Sequence, residues 1–176
     1  MTGAMIKAGL PSEWRFGLFI VLPLCCYLLV PSLSIATELT GKVVGIQDGD
    51  TLTVWVDNGA TTRIRLWGID APEKRQAYSN ASKRYLSNLA YGKRVRLLVR
   101  DRDRYGRTVA EVILPDGRNA NQEMVRAGYA WWFRKYAPND SVLERLEDEA
   151  HKGKRGLWAD PHAVPPWEYR KARRSK

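Results

Sequence analysis

Residues 51–56 read Thr-Leu-Thr-Val-Trp-Val, the alternation of a strand with one buried face. Asp57-Asn58-Gly59 follows, and Asn-Gly favours a tight hairpin turn. The return strand is expected over 61–69, with Ile64 and Leu66 on one side and Arg63 and Arg65 on the other. This hairpin constrains the chain most. It demands a β-rich fold, and it returns the residues after its second strand to those before its first. In that register Asp70 is expected opposite Gln47, beside Asp48-Gly49-Asp50.

Other β-type runs occupy residues 39–47, 94–100 and 109–114, the last two flanking a turn at Tyr105-Gly106. Helices are expected at 81–90, capped by Ser79 or Asn80, and at 120–127, ended by Gly128. The last helix is expected at 141–152, where Ser141 and Glu144 can form a capping box and Leu143, Leu146 and Ala150 share a face. The expected class is therefore mainly β with α: a five-stranded, partly open barrel of the OB type with about three helices. Fold alone does not give function.

Three segments are legible. Residues 1–36 read as a leader: Lys7 and Arg15 precede an uncharged run over 16–37, and Ser34-Ile35-Ala36 fits small-x-small signal cleavage. An uncleaved anchor over 16–36 is the alternative. Export to the periplasm or medium is expected in the first case, inner-membrane attachment in the second. Both cysteines, Cys25 and Cys26, lie in this run, so a cleaved product has no disulfide, thiol nucleophile or Cys metal site. Residues 37–160 form the domain. Residues 161–176 read as a basic, disordered tail, because they are proline-rich and lack apolar periodicity. No dimer seam is legible, so a monomer is expected.

The formal charge is +10, and the leader holds only Lys7 and Arg15 against Glu13. The surplus favours a polyanionic partner, nucleic acid or an anionic membrane. Against it stand two acid clusters, Asp48-Gly49-Asp50-Thr51 and Asp70-Ala71-Pro72-Glu73. Pro72 keeps Ala71 extended and stiffens the second. The hairpin brings both to one rim, where a hard cation with oxygen ligands is the natural partner. Zinc is not suggested, since His151 and His162 lie far along the chain. Arg65 and Arg107 add planar forks of donors that match phosphate oxygens.

Asp48-Gly49-Asp50-Thr51, the stretch from Arg65 to Asp70, Ala71-Pro72-Glu73 and Tyr105-Gly106-Arg107 together resemble the staphylococcal nuclease family in order and spacing. The similarity runs over residues 39–158. The resemblance implies an OB-fold and a calcium-dependent endonuclease acting on DNA and RNA, with products ending in a 3′-phosphate. It implies Ca²⁺ ligation by the carboxylates of Asp50 and Asp70 and the carbonyl of Ala71, which stands where the type member has threonine. Glu73 would be the general base, and Arg65 and Arg107 would bind and polarise the phosphate. Tyr105 and Tyr136 would contact substrate. Arg134 stands where the type member has the second tyrosine of its base pocket.

Trp131-Trp132-Phe133-Arg134-Lys135-Tyr136 can stack bases, or can pack its tryptophans under the barrel. Trp158 reads as a packing anchor. Two rival functions remain: a silent OB-type nucleic-acid binder, and a membrane-tethered adaptor using the leader and basic tail. A binder has no use for Glu73 beside two arginines and an acid rim, and an adaptor leaves that rim unexplained.

Overall fold

A computed structural model describes residues 38–175. The leader, both cysteines and the choice between signal and anchor lie outside the described residues. Among those described, no helix is long and apolar enough to cross a membrane.

Five strands close into a barrel: β1 (Glu38–Ile46), β2 (Thr51–Val56), β3 (Thr61–Leu66), β5 (Arg94–Arg102) and β6 (Thr108–Ile113), in the order β1-β2-β3-β6-β5. The expected OB-type barrel is present, closed rather than partly open. All its pairings are antiparallel except β3 with β6, a short parallel seam at Ile64↔Thr108, Arg65↔Val109 and Leu66↔Ala110. Alternation fills the interior: Leu52, Val54, Ile64, Leu66, Leu97 and Val112 are all buried. Trp55 and Arg63 take the outward positions.

Helices α1 (Ser79–Ala90), α2 (Ala120–Arg126) and α3 (Ser141–Lys152) add Leu86, Met124, Leu143 and Leu146 to the same core. Asn121 fastens α2 to the seam. Its side-chain carbonyl accepts from Val112 N at 3.1 Å, and its amide donates to the carbonyls of Trp67 at 2.9 Å and Ala110 at 3.2 Å. Trp131 and Trp132 are both buried, in the two-residue strand β7 (Trp131–Trp132). This strand pairs with β4 (Ile69–Asp70) apart from the barrel.

Several local expectations are corrected. The first hairpin turns over three residues, 57–59, because Trp55 pairs Thr61 and Val56 N bonds the carbonyl of Ala60 at 2.8 Å. Gly59 alone of these takes positive φ, 85°, as a type I turn closed by a left-handed residue requires. Asp70 does not sit opposite Gln47. The strand leaves the barrel at Trp67-Gly68, and Asp70 pairs with Trp131 instead. The cap of α1 is Tyr78, at φ 64° and with no side-chain bond. The cap of α3 is Asp140, whose carboxylate accepts from Val142 N and Leu143 N, in place of the Ser141–Glu144 box.

The largest correction is at the end. Residues 161–176 were expected to be disordered and α3 to be the last helix. Instead α4 (Pro166–Arg174) follows, started by proline at its first position and carrying Lys171, Arg173 and Arg174 in its last turn. A fixed φ at Pro166 favours helix entry, and basic residues suit the C-terminal end of the helix dipole.

Candidate active site

The turn between β1 and β2 projects Asp48 and Asp50 at one end of the barrel. Gly49 is required there by crowding. A Cβ on it would lie 1.8 Å from Ser82 Oγ of α1 and 2.8 Å from Ala71 Cβ. That close approach packs the helix, the acid turn and the Asp70-Ala71-Pro72-Glu73 segment together.

Arg65, on β3, joins the two acid clusters. Its Nη2 lies 3.2 Å from Asp50 Oδ2 and 3.0 Å from Asp70 Oδ1, while Nη1 donates to the Leu66 carbonyl at 2.9 Å. Asp50 is oriented further by Ala71 N, which donates to Oδ2 at 2.7 Å, and by the Thr51 hydroxyl, which donates to Oδ1 at 3.1 Å. Arg107 reaches the same hydroxyl, Nη1 to Thr51 Oγ1 at 3.3 Å. Asp103 holds Arg107 by accepting from its Nε at 2.7 Å and its backbone amide at 3.0 Å.

Glu73 is half-exposed, and its amide donates to Gln76 Oε1 at 2.9 Å. Tyr105 and Tyr136 are exposed: the Arg104 guanidinium lies 4.9 Å from the Tyr105 ring centroid, and Tyr136 meets Phe133 edge-on at 5.0 Å. The structure thus places Arg65, Glu73, Arg107, Asp50, Asp70, Ala71, Tyr105 and Tyr136 around one groove. Lys74, Lys83, Arg100, Arg102 and Lys135 border it, a cationic setting suited to a polyanion. Arg134 lies 4.1 Å from the Trp132 ring centroid and pairs with Glu147 at 2.9 Å.

Burial and mutual proximity both act on the acids. Burial and then the neighbouring Asp50 charge push the Asp48 carboxyl up to about 7. Burial also pushes Asp70 above its usual range; the Asp50 charge adds to this, against the pull of Arg170 and Arg65. Among the described residues, no group of three or more His, Cys, Asp or Glu is arranged to hold a metal ion. The set expected from the sequence needs only two carboxylates and a carbonyl. Its fit therefore rests on donor chemistry: hard oxygen atoms, crowded negative charge and Ala71 tied by its amide to Asp50. Those features suit a hard divalent cation.

Two residues of the groove, Arg170 and Asp103, carry no signal in the sequence reading. Arg170 of α4 bonds Asp70 Oδ2 through Nη2 at 2.7 Å and Glu73 Oε1 through Nη1 at 2.6 Å. Asp103 orients Arg107.

Residues 63–160 match the family described as staphylococcal nuclease homologue. The chain belongs to the staphylococcal nuclease family. Its relatives include an "Uncharacterized endonuclease" of Escherichia coli O157:H7, 47% identical over 136 residues that cover 77% of this chain and 88% of that one. A "Micrococcal nuclease" of Shigella flexneri is 39% identical over 153 residues, 82% of this chain and 87% of the relative. "Protein ParB" of Escherichia coli is 43% identical over 143 residues, 76% and 80% respectively. The nuclease class of hydrolase follows for this member at the level of the family. The region matched to the family includes Arg65, Asp70, Ala71, Glu73, Tyr105, Arg107 and Tyr136, whereas α4 lies beyond it.

Proposed function

We propose that the chain is a calcium-dependent endonuclease that hydrolyses phosphodiester bonds in DNA and RNA and leaves 3′-phosphate ends. The observation that carries this reading is the convergence of Asp50 and Asp70 on Arg65, with Glu73 and Arg107 on the same groove.

Asp50, Asp70 and the Ala71 carbonyl would hold the calcium ion. Bound there, it would supply Lewis-acid stabilisation of charge on a phosphate oxygen. Two carboxylates and one carbonyl are fewer than the roughly 6–8 oxygens such an ion takes, so water and substrate must complete the shell. Metal binding is therefore expected to be weak alone and tighter with nucleic acid present.

Glu73 would take a proton from the attacking water as its oxygen bonds to phosphorus. The bond from phosphorus to the 5′ oxygen would then break, and that oxygen would take a proton from solvent water and leave as a hydroxyl, while Glu73 returns its proton to solvent. The phosphate stays on the 3′ side. Arg65 and Arg107 would donate to the phosphate oxygens as negative charge grows on them, which is where fixed donors lower the barrier most. Export rests on the leader pattern alone and is part of the proposal.

The test is digestion of plasmid DNA and of RNA with calcium and with excess chelator, followed by analysis of the new ends. Calcium-dependent internal cuts ending in 3′-phosphate are expected. Full activity in chelator would remove the metal from the reading, and no cleavage in either condition would leave a nucleic-acid binder.

A further inference from the structure

Arg170 occupies the two carboxylates that the proposed chemistry most needs free. Its guanidinium straddles Asp70, Nη2 to Oδ2 at 2.7 Å and Nη1 to Oδ1 at 3.3 Å, and reaches Glu73 Oε1 at 2.6 Å. Arg65 already takes Asp70 Oδ1 from the other side at 3.0 Å. Both oxygens of Asp70 are thus engaged by guanidinium groups. Glu73 Oε1 holds a short, charge-assisted bond and is therefore already engaged.

The helix that delivers Arg170 is lightly anchored. Pro166 is its buried residue. Trp167 stacks on Phe133, with ring centroids 5.4 Å apart and planes at 12°. Ahead of the helix, the Val164 carbonyl accepts from Gln76 Nε2 at 2.6 Å. Arg170 adds its own ion pairs to Asp70 and Glu73, and its side chain keeps 34% exposure. Few buried apolar contacts mean a low cost of local opening.

We propose that α4 is an autoinhibitory latch, with Arg170 as an internal counter-cation that must leave Asp70 and Glu73 before a divalent cation can bind there. The inference rests on the nuclease reading above. A second guanidinium on Asp70, added to that of Arg65 and reaching Glu73 as well, competes with a divalent cation for the remaining lone pairs and repels it. The latch also responds to substrate. Its last turn carries Lys171, Arg173 and Arg174, so an incoming polyanion offers α4 alternative partners while the cation claims the acids. Metal and nucleic acid then favour the same open state, and each assists the other.

Calcium binding by the full chain, read by calorimetry without nucleic acid, tests this for the parent, Arg170→Gln and Trp167→Ala. A closed latch lowers apparent affinity by the fraction of molecules that are open, so both variants should bind calcium about tenfold more tightly. Trp167→Ala keeps Arg170 but undocks the helix, so agreement between the variants assigns the effect to latching. Trypsin should also cut within α4 of the parent faster when calcium is added. Equal calcium affinity in all three proteins would overturn the proposal. So would an Arg170→Gln protein with unchanged affinity and lost turnover at saturating calcium, which would make Arg170 a phosphate contact of the working site. A tighter calcium site in proteins that cleave no DNA would retain the latch and remove the nuclease reading.

Discussion

Two arginines reach Asp70, and they come from opposite kinds of structure. Arg65 rises from β3, in the middle of a closed barrel, with its side chain 14% exposed and one nitrogen spent on the Leu66 carbonyl. Arg170 hangs from a surface helix held by the buried Pro166, one stacked ring pair and its own ion pairs. The chemistry of the two contacts is nearly the same, but their permanence is not. A guanidinium fixed by the strand beneath it is a built-in electrostatic element. One fixed mainly by its partners is exchangeable.

The largest expected effect falls on the fixed arginine. Arg65→Ala removes donors aimed at the phosphate and also separates Asp50 from Asp70. Turnover on DNA should fall by about a thousandfold. A loss no larger than that of Arg170→Gln would erase the distinction between the two groups. Next comes Glu73→Gln, which keeps shape and loses basicity. Turnover should drop at least about a hundredfold, with substrate affinity little changed. Near-parent rates would assign proton removal elsewhere.

Asp103→Asn should have a smaller effect, about a tenfold fall in turnover, within the range of losses expected when a catalytic group is misplaced. Burial alone would push the Asp103 carboxyl up, but hydrogen bonds from the Arg107 side chain and from the Arg107 and Tyr105 amides outweigh it and hold it below the usual range. A depressed folded-state value means the carboxylate's contribution is present above the ordinary Asp value and is lost as pH falls through the depressed one. The parent should therefore lose thermal stability more steeply than the Asn variant as pH falls below the ordinary Asp value. Identical acid limbs would show that Asp103 is not what holds that loop.

The smallest effect separates the regions by salt. Exposed ion pairs are screened and buried ones much less. High salt should speed trypsin cleavage after Arg170 and Lys171 while the barrel's thermal midpoint stays nearly constant. Parallel responses in helix and barrel would make them one unit.

The same contrast explains what could be read in advance. The barrel was legible because Leu52, Val54, Ile64 and Leu66 must alternate to fill a closed interior. Asp50, Asp70, Glu73, Arg65 and Arg107 could be singled out because their spacing carries a family resemblance, while their meeting depends on a bend at Trp67-Gly68 that no pairing register describes. The α3 cap was misassigned because Asp140 and Ser141 are adjacent and equally good caps; the backbone path chose Asp140. Helix α4 was missed because nothing in its own sequence requires it. Its partners Phe133, Asp70 and Glu73 lie far away in the chain, and periodicity cannot report a helix held by one ring and one charge.

Asn121 bears on how the molecule comes apart. The parallel seam between β3 and β6 is the barrel's shortest pairing, and one carboxamide ties β6 and the end of β3 to α2. A lone barrel could exchange its amide hydrogens by prising open that seam while the helices stayed folded. With Asn121 in place, opening the seam strands a buried amide and its partners, at about 1–3 kcal/mol for each unsatisfied group. The amides of Val112 and those inside α2 should therefore trade hydrogen for deuterium together, as one cooperative unit, and the seam should be among the last parts of the domain to yield to solvent.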